Sequence, residues 1–203
     1  DFWKSFIPPL DKLPVELAAR IKKAYTTADG TMSMMPFFDL LALHELGHGL
    51  HDWLTIGGIS QVEGLSEGCG DYWTTSYIRS TGYWTPAYPA YNWVFIWDGH
   101  NPFWPGRITN YTAHYPEGLT GTIHTDGQMW ASSLMSIYDL IGRTPTDKNF
   151  LEALSMTNGS SSQVDAANAF IAADQLLYSG SHLAQIIPVF ADRGYIEGPI
   201  TAD

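Results

Sequence analysis

The stretch PFFDLLALHELGHGLHD, residues 36–52, constrains this chain more than any other part of it. It is apolar over most of its length and free of internal proline, so it predicts a long helix buried in the protein. Set into that run are His44, Glu45 and His48. Burying three titratable groups without partners is costly, which calls for something they share. Positions i and i+4 lie one turn apart on the same helix face, where two imidazoles can reach a single metal ion. Neutral imidazole suits zinc, and Glu45 sits beside that face, where it can take a proton from a water activated there.

A catalytic zinc takes three protein ligands and keeps one position open. His51 falls on the same face as His44, but the two are about 10 Å apart along the axis at 1.5 Å per residue. That is too far to share an ion, so His51 is expected at the surface or in a second layer. The third ligand is expected to be a carboxylate from another helix. Within EGLSEGCGD, residues 63–71, Glu67 is preferred because Asp71 follows one turn later and can orient a liganding histidine from behind. Glu63, one turn earlier, is the competitor. The 18 residues between His48 and Glu67 leave room for a turn at Gly57-Gly58, and glycines beside Glu67 would let two helices approach closely. Cys69 is the sole cysteine, so no internal disulfide is possible, and it reads as a small packed residue.

Helical patterns recur elsewhere: from Pro14, over 63–80 and 124–141, over 147–157 behind a Thr146-Asp147 cap, over 163–177 behind Ser162, and over 181–193. The best strand candidate is 31–35. Between the helices, 81–121 is a long loop region rich in Pro, Gly, Tyr and Trp. Its aromatics (Tyr83, Trp84, Tyr88, Tyr91, Trp93, Trp97, Trp104) are expected to form a small core of their own, with two or three lining a cleft. The expected fold class is mainly α, α+β at most, in a single domain over 1–203. A net charge of −11, from 21 acidic and 10 basic residues, disfavours nucleic acid and anionic membrane as partners. No apolar run approaches the ~20 residues of a membrane span. Asp39 and Asp52 alone make no oxygen cage for calcium.

Four segments together resemble the thermolysin-like zinc metallopeptidases (gluzincins), and within them the fungalysin family, over about residues 36–195. They are HELGHGLHDWLT, EGLSEGCGDYW, IHTDGQMWASSLMSIYDLIG and the tail DAANAFIAADQLLYSGSHLAQIIPVFADRGY. The resemblance implies the helical half of such a peptidase, with one zinc ion held by His44, His48 and Glu67. It implies Glu45 as general base, Asp71 behind the ligands, and His124 as hydrogen-bond donor to the developing oxyanion. Taken alone, His124 is only a histidine near a helix start. A secreted endopeptidase acting on peptide or protein substrates is the implied activity. A zinc aminopeptidase and an inactive, peptidase-like binding module are the alternatives.

The chain also departs from the family. Only 43 residues precede His44, where the family carries a larger, strand-rich half that pairs with substrate. Either 31–35 takes that role, or 1–35 is a shortened remnant, or an N-terminal segment or propeptide lies outside this chain. Cys69 and Gly70 stand where a bulkier residue and a serine are usual. No tyrosine lies between His48 and Glu67, leaving Arg107, Tyr111 and Tyr115 as candidates for a second oxyanion donor.

Overall fold

Six α-helices form among the described residues of the computed structural model: α1 (Pro36–Leu54), α2 (Leu65–Thr81), α3 (Ile123–Ile141), α4 (Arg143–Ser155), α5 (Gln163–Tyr178) and α6 (Leu183–Asp192). The structure describes residues 36–82, 84–95, 99–101, 103 and 105–197, with side chains from Leu40 onward. Almost all of them belong to one unit, Leu40–Asp203; of the other, Asp1–Asp39, only the first turn of α1 is described. The helix expected from Pro14, the strand expected at 31–35, and Tyr83, Trp97 and Trp104 lie outside the described residues. Within them the fold is mainly α. Strand pairing is limited there to two isolated bridges, Ile56 with Asn158 and Trp93 with Ile108.

Helix α5 starts where its sequence predicts, at a reciprocal cap. The Asp165 amide donates to Ser162 Oγ at 3.2 Å and the Ser162 amide to Asp165 Oδ2 at 2.8 Å. Helix α4 starts earlier than its sequence suggests. Gly142, at φ 84°, breaks the chain directly after α3, and α4 resumes at Arg143. Thr146 and Asp147 are therefore inside the helix rather than capping it. Asp147 instead accepts from Tyr72 Oη and Ser76 Oγ, both at 2.7 Å, and from Arg143 Nε at 3.0 Å, which ties α4 to α2.

The core lies where α2 and α3 cross. A Cβ on Gly68 would sit 2.6 Å from the Gly127 carbonyl oxygen, so any larger residue there would force the two helices apart. Around this crossing Leu65, Tyr72, Met129, Trp130 and Leu134 are fully buried. Trp130 stacks on Phe190 of α6 at 5.8 Å, and Phe170 of α5 meets the same ring edge-on at 5.7 Å. Each such side chain contributes roughly 1.5–3 kcal/mol by leaving water. Helix α1 buries Leu40, Leu43, His44, Gly47 and His51, while Leu41, Glu45 and Trp53 are exposed.

Between α2 and α3 the loop does not build an aromatic core from its described tryptophans and tyrosines. Trp84 with Tyr88 and Trp93 with His100 make ring pairs that stay half-buried or exposed. Among its described residues the buried apolar ones are Ala90, Val94 and Phe95, and the last two pack with Leu40 and Ile78. A single 3-10 turn, Pro89–Asn92, is held by Arg79 of α2, whose guanidinium lies 3.7 Å over Tyr91 and donates to Asn92 Oδ1. The described tryptophan and tyrosine rings thus decorate this part of the loop, which Arg79, Val94 and Phe95 anchor.

Candidate metal centre

Helix α1 places His44 and His48 one turn apart, and their rings meet edge-on with centroids 4.6 Å apart. The two Nε2 atoms are 3.0 Å from each other. Glu67, in the first turn of α2, brings Oε2 to 3.4 Å from His44 Nε2 and Oε1 to 3.6 Å from His48 Nε2. Ligands at about 2.0–2.1 Å in a tetrahedral zinc site lie about 3.3 Å apart. The two imidazoles and the carboxylate, each imidazole near a different Glu67 oxygen, are therefore close enough to share one ion, and three ligands leave a fourth position open. Among the described residues this is the one group of three or more side chains placed to hold a metal.

Each imidazole is oriented from behind by α2. His48 Nδ1 lies 2.7 Å from Ser66 Oγ, and His44 Nδ1 lies 3.0 Å from Asp71 Oδ1. The second contact has ion-pair distance but is out of line for a straight hydrogen bond, so both atoms lack an aligned partner. Close helix contact makes the arrangement possible. A Cβ on Gly70 would fall 2.6 Å from His44 Nδ1, and one on Gly47 would fall 2.7 Å from the Gly70 Cα. Glycine at position 70 is what lets the His44 ring lie against α2.

Arg107 is the residue whose part the sequence least revealed. Its Nη1 donates to Glu67 Oε2 at 3.0 Å and lies 3.3 Å from Asp71 Oδ1. Its guanidinium also sits 5.0 Å over the Phe95 ring, which touches His44. Helix α3 holds the segment that carries it: Gln128 Oε1 accepts from the Ile108 amide and Ser132 Oγ from the Tyr111 amide, both at 2.9 Å. No local pattern connects a loop arginine with a carboxylate 40 residues earlier.

These contacts shape the charge of the side chains themselves. Burial pulls the His44 imidazole down, but Asp71 and Glu67 outweigh it and raise its pKa to about 9. Burial pushes Glu67 up, yet His44 together with His124 and His48 brings it down to about 2. Burial and then the His44 charge lower His48. The pocket is thus built to keep one carboxylate ionised and to balance it with a cation.

A cavity of about 890 Å³ opens over the three ligand atoms, lined also by Glu45, Leu41, Arg107, Tyr111 and His124. Glu45 is exposed into it. His124, second residue of α3, reaches Nε2 to 3.4 Å from Glu67 Oε2, with over half its side chain exposed. The structure thus brings His44, His48, Glu67, Asp71, Glu45 and His124 to one place. Glu63 is elsewhere: its carboxylate accepts from Tyr115 Oη at 3.0 Å and the Gln163 amide at 3.1 Å. Tyr115 is spent on that contact, whereas Arg107 and Tyr111 reach the cavity. Of the two places expected for His51, the surface is excluded: it is fully buried, and neither ring nitrogen has a hydrogen-bond partner among the described residues. Cys69 is packed in the core, where burial raises its thiol pKa.

Fold and site together define a mainly helical unit in which two imidazoles and a carboxylate converge on one point at the floor of an open cavity. No family model matches the chain. It is 27% identical over 191 residues to the extracellular metalloproteinase MEP of Pyricularia oryzae, a match covering 78% of this chain and 30% of that protein. The chain therefore spans less than a third of that relative's length.

Proposed function

We propose that this chain carries the catalytic centre of a secreted, thermolysin-like zinc endopeptidase, with His44, His48 and Glu67 as zinc ligands. The convergence of three side chains, with His44 Nε2, His48 Nε2 and the Glu67 carboxylate oxygens 3.0–3.6 Å apart and Glu45 facing the same cavity, carries the reading. Zinc is favoured because two imidazoles and one carboxylate with an open position are a known catalytic donor set for it. The similarity to an extracellular metalloproteinase supports both the reaction class and secretion.

When bound, the ion would polarise the scissile carbonyl and make water nucleophilic near neutral pH. The chain's own residues do the rest. Ser66 and Asp71 hold the Nδ1 side of each imidazole, leaving the Nε2 lone pairs aimed at a common point. Glu45 accepts the proton of the attacking water and returns it to the leaving amine. His124, exposed at the cavity wall, donates Nε2–H to the oxygen that becomes negative as the carbonyl carbon turns tetrahedral. Arg107 offsets part of the negative charge of Glu67 and Asp71 and so opposes protonation of His44.

The test is metal analysis with casein and internally quenched peptides, for wild type and Glu45→Gln. The expected result is one zinc per chain in both proteins, with hydrolysis reduced by about 10²–10⁴-fold in the variant, as loss of a general base predicts. Equal turnover in the two would end the role given to Glu45. Products cut only from peptide N-termini would instead support an aminopeptidase.

A further inference from the structure

Glu63 has no part in the reading above, yet its backbone has an unusual conformation. It sits at φ 55°, ψ 26°, in the left-handed region that glycine occupies without strain, and it is followed by Gly64 at φ 69°. A glutamate is kept at a position that favours glycine, and its side chain is fully engaged. Oε1 accepts from Tyr115 Oη at 3.0 Å and Oε2 from the Gln163 amide at 3.1 Å. The Glu63 carbonyl accepts from Gln163 Nε2 at 2.6 Å, and the same amide group donates to the Asp126 carbonyl at 3.0 Å. Tyr195 Oη closes the network on Gln163 Oε1.

The network joins two helix starts. On one side is the turn leading into α2, which puts Glu67 one helical turn beyond Glu63. On the other is the first turn of α3, which carries His124 and Asp126. Between them the backbones touch: a Cβ on Gly64 would overlap the Ile123 carbonyl oxygen, and one on Gly127 would lie 2.8 Å from the Gly64 carbonyl oxygen. Glu67 and His124 are on facing first turns, 3.4 Å apart, so any slide of one helix start along the other changes their separation directly.

We propose that Glu63 is a positioning residue. Its carboxylate ties the turn before α2 to Tyr115, in the loop leading to α3, and to the backbone amide of Gln163 at the start of α5. This holds the Gln163 side chain where it bonds the backbones of Glu63 and Asp126, keeps the starts of α2 and α3 in register, and so keeps Glu67 aligned with His44, His48 and His124. Its effect on turnover rests on the peptidase reading; its effect on metal affinity does not.

The informative variant is Glu63→Gly, which removes the carboxylate and relieves the backbone strain, so the fold is retained. Zinc affinity is measured by competition with a chromophoric chelator, thermal stability by circular dichroism, and kcat and KM on an internally quenched peptide. The proposal expects zinc affinity about tenfold weaker and kcat about tenfold lower, with KM within a factor of two. Glu63→Gln, which can still accept from the Gln163 amide and bond Tyr115 through its amide group, should recover most of the affinity. Wild-type zinc affinity in Glu63→Gly overturns the proposal, as does a loss of thermal stability with affinity unchanged, which would make Glu63 merely structural. If wild type binds zinc but cleaves no peptide, the peptidase reading fails while the affinity comparison still decides the part played by Glu63.

Discussion

Replacing Gly70 by alanine adds one methyl group at the point where α2 supports the His44 ring. The new Cβ would lie 2.6 Å from Nδ1, 2.7 Å from Cε1 and 2.9 Å from Cγ. Ordinary carbon contacts begin near 3.5 Å, so the ring or the helix must give by about 0.9 Å. Little can give. His44 is buried, Asp71 stands 3.0 Å behind its Nδ1, and α1 already touches α2 at Gly47. Metal–ligand distances in sound sites lie within about 0.2 Å of their usual values, far less than the shift the methyl group demands. Gly70→Ala should therefore lose zinc affinity by about 10–100-fold, the range seen when the groups behind a ligating histidine are disturbed. Overpacking should also lower stability by about 1–3 kcal/mol. Chelator competition measures the first effect and thermal melts with and without zinc the second. Gly49→Ala is the control: it is in the same helix as His44, nothing lies within 4 Å of its added Cβ, and it should gain about 0.5–1 kcal/mol. Wild-type affinity and stability in Gly70→Ala would refute the account of how α2 supports His44.

Asp71→Asn keeps the shape behind His44 but removes the charge, and should weaken zinc binding by about 10–100-fold in the same titration; an unchanged constant would show that Asp71 does not orient the ligand. His51 gives a pH prediction. Burial, followed by the nearby His48, depresses its pKa to about 4, so the folded state excludes a proton that the unfolded chain binds below about 6.5. Its contribution is complete above pH 6.5 and declines as pH falls towards 4, by about 3 kcal/mol in all. His51→Leu should be neutral or stabilising at pH 7 and should flatten that slope, read from urea midpoints between pH 4 and 7. A slope identical to wild type would exclude His51 as its source. The pKa of His44 shifts the other way: raised to about 9, its contribution is present below pH 6.5 and lost as pH rises through 9, so it does not mask the effect.

Some of this site was legible in the chain because it depends on short-range geometry. His44 and His48 are four residues apart on a helix, and the 3.6-residue repeat puts them on one face whatever else the chain does. The helix starts at Ser162 and near His124 follow from local capping and periodicity in the same way, and the mainly α class follows from their sum. Glu67 and Asp71 were reached through their own i, i+4 spacing together with family resemblance. Glu63, chemically the same as Glu67 and one turn away, does not have Asp71 one turn after it, and its tertiary contacts with Tyr115 and Gln163 hold it away from the ligand atoms.

The remainder was decided by packing between segments far apart in sequence, for which no residue spacing is a guide. Arg107 reaches Glu67 and Asp71 because Gln128 and Ser132 of α3 hold its loop, an arrangement that exists only once the helices have crossed. Ser66 becomes the partner of His48, and Gly70 the support for His44, through the close approach of α1 and α2. His51 was set aside as a ligand on distance alone, which left open whether it lies at the surface or in a second layer. The fold buries it because its helix face turns inward. Sequence periodicity determined which residues share a helix face, whereas the tertiary structure decided which faces meet, because that depends on where glycines let two backbones touch.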